Sequence, residues 1–210
     1  MAGDSRAENL RIAHRLGHPA PPDDHPYPTG EPVRTTDEVV ERALAVNVVL
    51  SCAHGLSVDA ARAWLDGHEL ACALTGHEAE YLEDVEDGMR LGSAHRKLHV
   101  EALWALLWAV SFADELDFGV GCGERVTPLV PDLFDPAEGV GAARVRSEAL
   151  LRDGDELRAA LDLARILTWG LGDPDLSVGF SPGEVEPYVV WERRRALEWL
   201  FGADWDAPGF

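Results

Sequence analysis

Histidines 95 and 99, in the string HRKLHVE, are spaced so that one face of a helix presents both imidazoles, which is how two side chains on one helix share a divalent metal ion. Their surroundings weaken that chemistry. A metalloprotease helix of the H-E-x-x-H kind carries its general base directly after the first histidine, whereas here Arg96 and Lys97 follow with charges that oppose a cation. Glu101 completes a ligand set only from a neighbouring face, two residues beyond His99. His95 and His99 are therefore weak metal candidates, no metal or other cofactor is expected, and the ordinary reading is a solvated helix start. His14, His54, His68 and His77 add no ligand spacing that improves the case.

Three further strings invite chemistry and fail a physical test. GFSPG at 179–183 matches the G-x-S-x-G of a hydrolase nucleophile elbow, but the elbow needs the N–H of the residue after the serine, and Pro182 has none. A capping box with Ser181 as N-cap, Pro182 at the first helical position and Glu184 at the third fits better. GVGCG at 119–123 lacks the preceding strand, the following helix N-terminus and the lysine of a phosphate loop. The segment with Glu78, Glu80, Glu83, Asp84, Glu86 and Asp87 has neither calcium-loop spacing nor a central glycine, and reads as a solvated helix face.

Trp104 and Trp108, four residues apart, share a side of one helix, and aromatics at that spacing are usually core. A buried indole N–H wants an acceptor, which Glu101, Asp162 or Glu192 can supply. The same carboxylates can instead pair with Arg193, Arg194 or Arg195, because a buried charge needs a partner. Whether this group surrounds a pocket or ties helices together is the open question about it.

The elements that must position these groups are helical. Ala7–Leu16 is amphipathic, and the following HPAPPDDHPYPTGEP, dense in proline, forms an extended arm. Thr35 and Glu38 make a capping-box pattern for a helix over about 37–53, and Ser57 can cap a second over VDAARAWLDG. A third surrounds GHEAEYLEDVEDG, and a fourth runs from Ser93 to about Leu116 with its apolar body at 102–113. Glycines and prolines crowd 117–141, marking a long irregular connection. Helices return at about 142–151, in DELRAALDLARILTWG with its stripe of Leu157, Leu161, Ala164 and Leu167, and in PGEVEPYVVWERRRALEWLFG. No period-two run is long enough for a sheet and there is no repeat. The expected class is all-α, a single compact domain of about six to eight helices around a central apolar helix at 93–116. Residues 1–34 are expected to pack as helix and arm on a helical domain at 35–210.

Composition narrows function by exclusion. With 210 residues, the chain can bury roughly 70% of its unfolded surface without staples. A hydrophobic fraction of 46% and a charged fraction of 27% belong to a globular protein. Its formal charge of −20, from 38 acidic against 18 basic residues, repels phosphate backbones and anionic lipid, so no nucleic acid or membrane partner is expected; a basic protein or a cation fits better, and plain solubility is the more ordinary reason for the same charge. The apolar run 102–113 would be about 18 Å long as a helix, against the ~30 Å of a membrane core. The first sixteen residues carry charges throughout and show no secretory signal, and Cys52, Cys72 and Cys122 look like reduced core residues of a cytoplasmic protein.

Three strings, EALWALLWAV at 101–110, the stretch from Asp162 through Trp169, and ERRRALEWLFGADWD at 192–206, together resemble the bacterial family catalogued as domain of unknown function 4272. RAENLRIAHRLG at the start and ERALAV at 41–46 fit the same family, so the resemblance covers nearly the whole chain. It implies a helical fold and no established activity. The family's usual tryptophan, glutamate and arginine positions fall here on Glu101, Trp108, Asp162, Trp169, Glu192, Arg193 and Trp199. Thr168 stands where relatives often have histidine, and Ile166 where they have arginine, with Arg165 one position away. Chemistry that depends on that histidine is in doubt in this chain.

The expected polar cluster is thus Glu101, Asp162, Arg165, Glu192, Arg193 and Arg194, with Trp104, Trp108, Trp169 and Trp199 as aromatic lining. No complete catalytic set is present, and no catalytic residue is assigned. The expected function is a non-catalytic interaction module that binds a protein partner, a basic one by charge. The alternative is a hydrolase or metal-dependent enzyme using His95, His99 and Glu101. Oligomeric state is left open.

Overall fold

The computed structural model describes residues 2–86, 93–135, 141–172 and 186–207. Among them the fold is all-α: α1 (Ala2–Arg15), α2 (Thr36–Ala53), α3 (Val58–Gly67), α4 (Gly76–Glu86), α5 (Ser93–Leu98), α6 (Val100–Ala109), α7 (Ala142–Glu148), α8 (Gly154–Gly172) and α9 (Pro187–Leu200), with short 3-10 turns at Ala71–Ala73 and Gly123–Leu129. The capping box expected at Ser181 lies outside the described residues.

Local chemistry explains several of these boundaries. Thr35 accepts the Glu38 N–H while Glu38 accepts the Thr35 N–H at 2.8 Å, a complete capping box for α2. Ser57 caps α3 through the Ala60 N–H at 3.2 Å. Gly55, at φ 111, turns the chain out of α2 in a conformation that a side chain would resist.

The expected helix from Ser93 to Leu116 is instead two, which brings the described α-helices to nine, beyond the expected six to eight. The break falls at His99, whose ψ of −6 and N–H bond to the Arg96 carbonyl make a tighter turn than an α-helix. The C-terminal end comes at Ala109. Ser111 adopts φ 64, and the Phe112 and Ser111 N–H groups donate to the carbonyls of Leu107 (2.8 Å) and Trp108 (3.0 Å), a Schellman ending built without glycine. The Ser111 hydroxyl holds that geometry by donating to the Leu150 carbonyl at 2.8 Å.

Two helices lie at the centre. Every residue of α6 from Glu101 to Ala109 is buried, and α2 is buried along most of its length, with Arg42 and Asn47 among the apolar side chains. α9 packs on α6 and α8, α1 lies along α8, and α2 lies against α6. Burying Leu103, Leu106, Leu107, Trp104 and Trp108 contributes about 1.5–3 kcal/mol per side chain. The proline-rich stretch is bound along its way: Arg6 and Arg158 donate to the carbonyls of His25 (3.1 Å) and Gly30 (2.6 Å), and the Val33 N–H donates to Leu200 at 2.9 Å. Among the described residues no helix is long and apolar enough to cross a membrane.

Candidate functional site

Glu101, in the first turn of α6, is 1% exposed and meets Arg193 of α9 across the core. One carboxylate oxygen accepts Arg193 Nε at 2.9 Å and a second guanidinium N–H at 2.5 Å, and the other accepts the Cys122 N–H at 2.8 Å. Arg193 spends its remaining donors on the carbonyls of Asp117 and Val120, the latter at 3.0 Å. The pair therefore closes three segments on one another: α6, α9 and the start of the connection after α6. Its fit depends on Gly121, because a Cβ there would stand 2.9 Å from the Glu101 carboxylate. Burial, with Glu101 beside it, pushes the Cys122 thiol up to about 12, so that sulfur stays protonated and unreactive.

The remaining residues of the expected cluster are placed in separate pairs. Asp162, fully buried in α8, accepts from Arg6 and, at 2.9 Å, from Asn9 Nδ2, both on α1. Arg165 binds Glu198 with both prongs of its guanidinium, at 2.8 and 2.7 Å, and Arg194 reaches the same carboxylate at 3.2 Å. Burial raises the Glu198 carboxyl, but the two arginines outweigh it and hold it below the usual glutamate range. Glu192 is 4% exposed and faces Arg195 at 3.2 and 3.4 Å, and burial leaves its carboxyl above the usual range despite that arginine. The Asp162 and Arg165 contacts join helices, whereas Glu192 with Arg195 and Arg194 with Glu198 lie within α9, and none of these groups is bonded to the Glu101–Arg193 pair.

The tryptophans divide in the same way. Trp104 and Trp108 are core residues, covered by Arg125 and Arg152 at 5.0 and 4.8 Å from their ring centres. The Trp104 N–H donates to the Glu115 backbone carbonyl at 3.2 Å, a backbone acceptor where a carboxylate was expected. Trp169 is half-buried on α8, and Trp199 borders a surface hollow with Arg34, Thr75, Trp205 and Asp206. Cys52 and Cys122 are buried, whereas Cys72 is exposed and so departs from the core position expected of it.

His95 and His99 are brought to a carboxylate, but it is Glu192 of α9 and not Glu101. One ligand atom from each of His95, His99 and Glu192 lies within 4.8 Å of the others. Glu101 is removed from any such set because both its oxygens are engaged by Arg193 and Cys122. His95 is exposed, its ring edge-on to His99 at 5.4 Å. His99 is 2% exposed and neither ring nitrogen has a hydrogen-bond partner. Burial, aided by Arg195 and Arg96, pushes that imidazole down to about 2, so it is neutral at every ordinary pH.

One buried pair was not anticipated. Glu78, assigned from its acidic neighbours to a solvated face, is fully buried against Arg42, which also donates to the Ala73 carbonyl at 2.7 Å and stacks 4.0 Å from the Trp205 ring centre. The signals were present: Arg42 interrupts an apolar run, and Thr75 with Glu78 forms a reciprocal S/T-x-x-E contact at the head of α4. Glu80 and Glu83 are exposed as expected.

The model of the family described as domain of unknown function DUF4272 matches residues 6–208. The chain belongs to that family, in keeping with the resemblance in its tryptophan, glutamate and arginine strings. Comparison with curated proteins and with solved structures returned no match.

Proposed function

We propose that this member of the family is a non-catalytic helical interaction module whose partner is a protein, and a basic one. The observation that carries the reading is where the charge lies. Among the described residues the buried carboxylates are Glu78, Glu101, Asp162, Glu192 and Glu198, and they meet Arg42, Arg193, Arg6, Arg195 and Arg165 in turn. Each buried acid takes one arginine with it, so the full surplus of −20 falls to the rest of the chain, and no other carboxylate among the described residues is buried. A field of that size attracts cationic partners over roughly a Debye length of 8 Å at physiological salt and repels phosphate backbones.

An enzyme built on His95, His99 and Glu101 lacks its carboxylate, since Glu101 is enclosed with Arg193. Among the described residues, four of the five buried ion pairs, Glu78–Arg42, Glu101–Arg193, Asp162–Arg6 and Glu198–Arg165, brace one helix against another, and none of them presents a nucleophile beside a base. The test is affinity capture with the immobilised full chain in lysate of its source organism at low salt. The expected result is a protein of strongly basic composition, retained in proportion to bait and released by salt. Recovery of the bait alone contradicts the proposal.

A further inference from the structure

We propose that His95, His99 and Glu192 form a binding site for one divalent transition metal ion, zinc by the chemistry of its ligands. Two observations combine to locate it. The first is convergence: two imidazoles from successive turns and a carboxylate from α9 offer ligand atoms within 4.8 Å of one another. The second is His99 itself, 2% exposed with both ring nitrogens unpartnered. A buried donor or acceptor without a partner is rare in a folded protein, and a metal ion aimed at one of those nitrogens gives it one.

The ligand types select the ion. Two neutral imidazoles and one carboxylate suit zinc and its neighbours in the first transition row, whereas calcium and magnesium prefer oxygen. Bonds of about 2.0–2.2 Å to one tetrahedral ion set ligand atoms roughly 3.4 Å apart, so a trio spread over up to 4.8 Å must contract by up to about 1.4 Å. His95 is exposed and has room to turn toward the site. Glu192 is held by Arg195 only at 3.2 and 3.4 Å, and Arg195 keeps a 2.7 Å bond to the Trp205 carbonyl when the carboxylate swings away. Three protein ligands leave the solvent side, next to His95, for water or a partner's side chain. Arg96 and Arg195 oppose the ion's charge and set an upper limit on affinity, while the −20 of the whole chain favours a cation.

The test uses the untagged full chain, stripped with chelator and titrated with Co²⁺, whose visible absorption reports the ligand field, followed by displacement with Zn²⁺. One equivalent is expected to saturate the signal, and zinc at about a hundredfold excess over Kd is expected to raise Tm by about 5 °C or more. His95→Ala removes an exposed ligand and should leave the metal-free fold and Tm unchanged while weakening Co²⁺ binding at least 100-fold. Glu192→Gln is expected to weaken it as well, and His54→Ala, an exposed histidine elsewhere, to leave it intact. No saturable absorption in the wild-type chain, or equal affinity in His95→Ala, overturns the site.

Discussion

Replacing Arg193 with leucine leaves the Glu101 carboxylate buried with a single remaining donor, the Cys122 N–H, and takes the guanidinium donors from the Asp117 and Val120 carbonyls. Breaking a buried ion pair from one side costs about 3–5 kcal/mol, because the surviving charge has neither water nor partner. In a chain of this size each kcal/mol moves Tm by about 2–4 °C, so the expected fall is about 6–20 °C. Glu101→Leu strands Arg193 and belongs in the same range. The double variant removes both charges and should cost less than the sum of the single ones by about 2–3 kcal/mol, the coupling of a direct contact. Urea unfolding followed by tryptophan fluorescence measures all four corners of the cycle. The exposed pair Arg144–Glu148, 3.0 Å apart, is the control and should change stability by no more than about 0.5 kcal/mol. Single variants costing under about 1 kcal/mol, or additive ones, refute the claim that this pair braces the core.

Three other outcomes follow from the same geometry. Gly121→Ala places a Cβ 2.9 Å from a carboxylate that Arg193 prevents from moving, and should cost about 1–3 kcal/mol in urea unfolding, whereas Gly67→Ala, with open space around it in α3, should stabilise by about 0.4–1 kcal/mol. Thr35→Ala removes half of the α2 capping box and should lower stability by about 1 kcal/mol in the same assay. A thiol reagent at pH 8 should label Cys72 rapidly, while Cys52 and Cys122, raised to about 11 and about 12 by burial, remain protonated and react only on unfolding; fast labelling of all three in the native chain contradicts their burial.

The helical class and several boundaries could be read from the sequence because they rest on local chemistry: Thr35 and Glu38 are three residues apart, and Ser57 directly precedes its helix. The ends of α5 and α6 were not legible. His99 breaks a pattern that is helical on both sides of it, and Ser111 takes a left-handed conformation that serine rarely adopts, held by the carbonyl of Leu150 far along the chain. Glu101 was recognisable as a charge entering the core, but its partner was hidden among three consecutive arginines. Successive helical residues point about 100° apart, so Arg193 meets Glu101, Arg194 meets Glu198 and Arg195 meets Glu192. Glu192 as a neighbour of His95 and His99 required knowing that α9 packs beside α5 and α6, and no spacing in the sequence encodes that.

Binding through the acidic surface is tested most directly by the salt dependence of affinity for the protein recovered by capture. Titrating that partner against the native chain at about 50 and 300 mM salt should weaken Kd at least tenfold, mainly through a slower on-rate, as expected of complementary charge. A Kd that does not change with salt, or a partner that is not basic, contradicts the account.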